Sequence, residues 1–107
     1  MAARIRIVPA RPKRGEVVEI SILIQHDMET GFRRDDEGRV IPRDCINLLI
    51  CRYNGVEVFR ADLSSGISAN PYVQFYTVAV ASGELEFSWI DDLSVQGAAR
   101  ASIAVSE

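Results

Sequence analysis

The chain has 107 residues, of which 48% are hydrophobic and 25% charged, an ordinary globular balance for one domain over residues 1–107 that excludes disorder over most of the chain. The net charge is −3 and the pI near 5.1, which argues against nucleic acid as a partner, since phosphate binding needs a basic field. No apolar run approaches the roughly 20 residues that span a bilayer, so no membrane partner is expected either.

Met1-Ala2-Ala3-Arg4-Ile5-Arg6-Ile7 alternates apolar and charged residues and lacks the apolar centre of a secretory signal. Arg4 to Val8 reads as a short first strand. Arg4, Arg6, Arg11, Lys13 and Arg14 form a basic cluster that fits a solvated face as well as a binding patch. Pro9 and Pro12 exclude a central strand from the connection that follows, and Gly15 fits a turn. Glu16 to Gln25 is the clearest strand, because Val18, Ile20, Ile22 and Ile24 recur at period two.

His26 to Arg43 is the longest irregular stretch, dense in charge and holding Gly31 and Gly38. Loops of compact domains commonly run about 4–6 residues, and longer ones often carry function. Arg34 to Arg39 fits a hairpin tip turning at Asp36-Glu37-Gly38. Met28, Phe32, Val40 and Ile41 are expected to pin its base to the body of the protein.

Cys45 to Asn54 is the next strand, and Asn54-Gly55 signals a type I′ hairpin, since both central positions need positive φ. Val56 to Leu63 returns antiparallel. Gly66-Ile67-Ser68-Ala69-Asn70-Pro71 is a turn, and Pro71 disfavours helical angles at Asn70, so the chain is expected to enter the next strand extended. Pro71 to Val80 then places Val73, Phe75, Thr77 and Ala79 on one face and Tyr72, Tyr76, Val78 and Val80 on the other. Ser82-Gly83 turns. Glu84 to Asp91 sets Leu85, Phe87 and Trp89 on one face, and Asp91-Asp92 reads as a solvated pair. Ser94 to Gly97 is a turn, and Ala98 to Val105 closes the domain with Ile103 and Val105 inward. Seven short alternating segments with no convincing helix predict an all-β, immunoglobulin-like sandwich of about seven antiparallel strands.

The residues offer little chemistry of their own. His26 is the one histidine, and no nucleophile elbow accompanies it. Cys45 and Cys51 share a predicted strand, where their Cα atoms would lie roughly 20 Å apart, too far for a disulfide. They fit small core residues, or one thiol bonding to a partner chain. Asp35, Asp36, Glu37 and Asp44 interleave with Arg33, Arg34, Arg39 and Arg43, a self-neutralising pattern rather than a cation cage. No catalytic, cofactor-binding or metal-ligating set is assigned. Met28, Tyr53, Phe59, Tyr72 and Tyr76 offer more aromatic and soft apolar surface than a one-sided core requires, and such residues are enriched in interfaces. The open alternative is that several of them complete the core.

Three segments taken together resemble a known family. They are Ile24-Gln25-His26-Asp27-Met28-Glu29-Thr30-Gly31 with Ile41-Pro42-Arg43, then Tyr53-Asn54-Gly55-Val56, then Gly66 to Tyr72 with Phe87-Ser88-Trp89-Ile90-Asp91-Asp92. Their order and spacing are similar to SoxZ, one half of the SoxYZ carrier of the bacterial sulfur-oxidising (Sox) system. Asp27 stands where a proline is common in that family, and Leu93 where a glycine is common.

The resemblance implies a non-catalytic, immunoglobulin-like subunit of a periplasmic carrier for thiosulfate oxidation. It implies a heterodimer with a SoxY chain, whose C-terminal cysteine arm holds the sulfur intermediates, and transient docking to other Sox enzymes. The chain would reach the periplasm without its own signal peptide, co-exported with the partner. Its own ending, Ala104-Val105-Ser106-Glu107, carries neither the cysteine nor the glycines of such an arm. Tyr53 to Phe59 and Asn70 to Tyr76, with Pro71 and Tyr72 among them, are then interface candidates. His26, Met28, Glu29 and Gly31 are candidates for enzyme docking or for framing the arm. Isolated, such a chain is expected to form a homodimer. The alternative is a free-standing β-sandwich that binds a small ligand or metal through the 26–43 loop. An enzyme dependent on His26 is the least favoured reading.

Overall fold

The computed structural model describes residues 2–63 and 67–107; the start of the predicted turn at Gly66 lies outside the described residues. The strands are β1 (Ala3–Val8), β2 (Val17–Ile24), β3 (Ile46–Tyr53), β4 (Val56–Asp62), β5 (Tyr72–Val78), β6 (Gly83–Asp91) and β7 (Gln96–Ile103). They form two sheets of order β1-β2-β5 and β4-β3-β6-β7, with every neighbouring pair antiparallel. The chain crosses between sheets after β2, after β4 and after β5, as immunoglobulin-like sandwiches do.

The core forms where the inward faces meet. Val18, Ile20, Ile22 and Ile24 of β2 and Leu85, Phe87 and Trp89 of β6 are all buried, as the period-two alternation predicts. Phe59 of β4 stacks on Phe75 of β5 with ring centroids 4.3 Å apart, closing one side of the sandwich, and Phe87 meets Phe75 edge-on at 6.2 Å. Asn54 and Gly55 take φ of 48° and 83°, the left-handed pair that a type I′ turn needs.

The last strand begins earlier than its sequence suggests. Gln96 and Gly97, expected in a turn, pair with Ile90 and Trp89. A Cβ at Gly97 would lie 2.2 Å from the Trp89 ring, so glycine is there to admit the indole rather than to turn the chain. Asn70 also differs from expectation. Its φ is 53°, left-handed rather than extended. Its amide donates to the His26 carbonyl at 2.7 Å, and its Oδ1 accepts the His26 N–H at 3.0 Å. These two local hydrogen bonds offset the cost of a conformation that Asn tolerates better than most residues.

The long connection between β2 and β3 is a narrow ribbon. Glu29 and Asp44 exchange backbone hydrogen bonds at its base. Arg34 bridges Val40 near the tip, where Gly38 turns at φ 82°. Met28 does pin the base from inside the core, and Ile41 is half-buried. Phe32 and Val40 do not: they are 86% and 50% exposed. A two-stranded ribbon that leaves the sandwich has no second layer against which to bury them.

Candidate functional site

Four connections meet at one end of the sandwich: the exit of β2, the entry of β3, the exit of β6 and the entry of β5. His26 lies at their junction. Its Nδ1 accepts the Met28 N–H at 2.9 Å, so the neutral ring carries its proton on Nε2. Nε2 faces Asp91 Oδ2 at 3.3 Å and Asp44 Oδ2 at 3.9 Å. Asp91 Oδ1 in turn accepts the backbone N–H groups of Leu93 and Val95, fixing the turn before β7.

Asp92 is the second tie at this end. Its Oδ2 accepts from the Cys45 N–H at 2.9 Å and from Arg43 Nε at 3.0 Å, and its Oδ1 accepts from Asn47 at 3.1 Å. These donors, the Cys45 amide first, hold its carboxyl below the ordinary range. Asp44 is the opposite case. Burial first, and the charge of Asp91 next, push its carboxyl up, and its Oδ1 is buried without a hydrogen-bond partner among the described residues. Of the Asp91-Asp92 pair expected to be solvated, Asp91 is buried, while Asp92 is exposed but tied by three donors, and Asp44 is not neutralised by the neighbouring arginines. Those arginines bind elsewhere, Arg33 to Glu29, Arg39 to Glu37 and Arg43 to Asp92.

His26, Asp44 and Asp91 bring one donor atom each within 4.8 Å of one another, beside a depression of about 390 Å³. The tautomer argues against a metal there. An ion needs the Nε2 lone pair, which would move the ring proton to Nδ1, where the Met28 N–H already points. The arrangement is instead a hydrogen-bonded clamp that holds the root of the ribbon, including Met28 at a left-handed φ of 52°.

The other predicted residues separate into structural and exposed groups. Met28 and Tyr53 are 3% and 4% exposed, a correction to their expected place on a partner surface: they complete the core. The Tyr53 hydroxyl donates to the Ala81 carbonyl and lies within hydrogen-bond reach of the Val80 and Ala81 amides, which ties β3 to the β5–β6 connection. Phe59 is half-buried on Phe75 and Pro71 is buried. Glu29 pairs with Arg33 through its side chain. Gly31 has φ of 87°, and a Cβ there would stand 3.2 Å from Arg43 Cβ, so it shapes the ribbon. Tyr72 and Tyr76 are exposed on the outer face of β5.

Neither cysteine is a surface thiol. Both are buried and free. Cys45 Sγ donates to the Glu29 carbonyl at 3.1 Å, and burial pushes its thiol up. Burial pushes the Cys51 thiol up to about 12. Sequence reasoning singled out His26 but missed Asp44, Asp91 and Asp92 as its surroundings. The signal was present: Asp91-Asp92 lies within a segment that carries the family resemblance.

Two antiparallel sheets with this strand order define an immunoglobulin-like β-sandwich. The solved structures it resembles share that architecture. It superposes on a superoxide reductase (neelaredoxin) from Ignicoccus hospitalis with a TM-score of 0.72 at 20% identity, covering 99% of this chain and 81% of that one. A putative superoxide reductase from Thermotoga maritima gives 0.73 at 17% identity, covering 98% and 86%. A variant superoxide reductase (neelaredoxin) from Archaeoglobus fulgidus in its reduced form gives 0.59 at 19%, covering 96% and 87%. At such identities the likeness is one of fold. No curated protein matches the sequence. The family model of the sulphur oxidation protein SoxZ matches residues 5–102, and the chain belongs to that family.

Proposed function

We propose that this chain is the non-catalytic subunit of a periplasmic SoxYZ carrier for thiosulfate oxidation. It pairs with a SoxY chain whose C-terminal cysteine arm holds the sulfur intermediates, and it gives the other Sox enzymes a surface on which to dock. It is co-exported with that partner. The observation that carries this reading is the state of its own thiols. A member of a sulfur-oxidation family needs a nucleophilic sulfur somewhere, and the thiolate is the reactive form. Here Cys45 and Cys51 are buried and held as thiols, so the cargo belongs on another chain.

The root of the 26–44 ribbon fits the docking part of this reading. The clamp at His26 fixes the base, the stem presents Phe32 to solvent, and the tip presents several charged residues.

Affinity purification from the native cell, with the periplasm separated from the cytoplasm and intact masses measured, tests the proposal. A stoichiometric second subunit bearing sulfur adducts on a C-terminal cysteine, with this chain unmodified, is the expected result. Adducts on Cys45 or Cys51, or recovery of this chain alone from the cytoplasm, would overturn it.

A further inference from the structure

A sheet edge is a row of unpaired backbone donors and acceptors, and folded proteins guard it with charge, bulges or cover. β4 carries Glu57, Arg60 and Asp62, and its ladder with β3 is broken by a register shift at Cys51 and Arg52. β1 carries Arg4 and Arg6 and lies against β7. The same side is tied shut where the Arg14 amide donates to the Ser106 carbonyl and the Ser106 amide to the Pro12 carbonyl. β5 has none of these guards. Tyr72 to Val78 holds no charged residue, no proline and no glycine, and its ladder with β2 runs without a shift. Among the described residues no strand pairs on its far side.

The hydrogen bonds to β2 fix which backbone groups of β5 are free. The Pro71 carbonyl accepts from the Ile24 amide at 3.0 Å, and the Ala79 amide donates to the Glu16 carbonyl at 2.9 Å. Backbone groups alternate sides along an antiparallel strand, so Val73, Phe75 and Thr77 also turn toward β2. Tyr72, Gln74, Tyr76 and Val78 therefore turn their N–H and C=O groups to the open edge. The row ends at Val80, whose amide points the same way and reaches the Tyr53 hydroxyl at 3.3 Å.

This row is complementary to itself. A two-fold axis beside Phe75 sets Tyr72 opposite Val78 and Gln74 opposite Tyr76 of a second copy, and every free N–H then meets a free C=O. On the outer face this places an aromatic ring against a β-branched side chain and an amide against a phenol, pairs that stabilise adjacent strands. Gln74 and Tyr76 already show that affinity within one strand, where Gln74 Nε2 donates to the Tyr76 hydroxyl at 3.2 Å. On the core side Val73 meets Thr77, and Phe75 meets its own copy at a position without ladder bonds, where facing side chains come closest. Phe75 stacks on the half-buried Phe59, so the second copy covers the flank of that aromatic pair. The same operation applied to β1 would set Arg4 against Arg6.

We infer that β5 pairs antiparallel with β5 of a second copy of this chain, about a two-fold axis beside Phe75. The two β1-β2-β5 sheets become one continuous sheet. The axis uses up both open edges, so assembly stops at two. This pairing stands apart from the carrier reading above.

Sedimentation equilibrium and amide hydrogen exchange of the purified full chain, from micromolar to near-millimolar concentration, test it. A monomer passing to a dimer is expected. With rising concentration the amides of Tyr72, Gln74, Tyr76 and Val78 should gain protection, while those of Val73, Phe75 and Thr77, already bonded to β2, should change little. Gln74→Pro removes a donor that β2 does not use, as an edge strand tolerates. It is expected to weaken the dimer at least about tenfold and to leave the fold intact by thermal melt. Tyr76→Lys, which guards the edge as the arginines guard β1, is expected to do the same and serves if the proline variant does not fold. A chain that stays monomeric throughout overturns the inference, and so does a dimer that survives both substitutions or leaves the alternate amides unprotected. Protection of those amides only when a SoxY-type subunit is added assigns the edge to that chain and overturns it too.

Discussion

The imidazole of His26 and the carboxylate of Asp91 meet at 3.3 Å across 65 residues of sequence, joining the exit of β2 to the exit of β6. The ring's other nitrogen takes the Met28 amide. One side chain thus satisfies a buried backbone donor and a buried carboxylate together. His26→Ala leaves the Met28 amide without its acceptor and Asp91 Oδ2 without its donor, and is expected to destabilise the fold by about 1–3 kcal/mol. Urea denaturation measures the loss. Hydrogen exchange at the Met28 amide should accelerate more than at core amides such as Ile20, and equal protection there in the variant would refute the clamp.

Asp44 and Asp92 lie near one another with opposite pH behaviour. The Asp44 carboxyl is pushed up in the fold, by burial first. The folded state therefore holds that proton more tightly than the unfolded chain, and ionisation weakens the fold as pH rises. Asp44→Asn is expected to raise the melting temperature at pH 7, with the gain vanishing below the ordinary aspartate value of 3.8. A lower melting temperature for that variant at pH 7 would contradict this.

Asp92 has the reverse sign. Its carboxyl is held down, first by the Cys45 amide, so its contribution is complete above 3.8 and is lost as pH falls through its lower folded value. Asp92→Ala removes the acceptor for Cys45, Asn47 and Arg43 together, and the cost at pH 7 is expected near about 1 kcal/mol because the site is partly wet. Melts from pH 2 to pH 8 should show the variant and the wild type converging in acid.

Gly97 admits Trp89 to the core. A methyl group there would press on the rigid indole at 2.2 Å, and neither a fused ring nor a paired strand can give way cheaply. Gly97→Ala is expected to cost about 1–3 kcal/mol and to alter the near-ultraviolet circular dichroism of the protein's one tryptophan. An unchanged melt would mean that β7 can shift to make room.

The thiols offer a direct chemical check. Iodoacetamide at pH 8 is expected to leave Cys45 and Cys51 unlabelled in the native protein, because Cys51 is pushed up to about 12 and both are buried, and to label both in guanidinium. Mass spectrometry counts the adducts. Rapid labelling of the folded chain would remove the argument that sulfur is carried elsewhere.

The sandwich was legible because its signals are local. The run Val18, Ile20, Ile22 and Ile24 and the run Leu85, Phe87 and Trp89 each name a buried face without reference to any other segment, since a strand alternates by its own geometry. Asn54-Gly55 names its turn for the same reason. The ribbon tip at Gly38 was legible too, but the exposure of Phe32 and Val40 was not, because apolar character says nothing about whether a second layer lies within reach.

The site was only half legible. His26, Glu29 and Gly31 drew notice, yet Asp91 and Asp92 read as solvated until the fold brought them against His26, Cys45 and Arg43. Tyr53 and Tyr72 look alike in sequence, but one is buried and the other exposed. By itself the sequence determined strand faces, the hairpin and the family, because these depend on neighbours along the chain and on residue types at set spacing. Tertiary structure decided which polar groups share a site, which aromatics stay outside and that both thiols are sealed, because those depend on contacts between segments far apart in the chain.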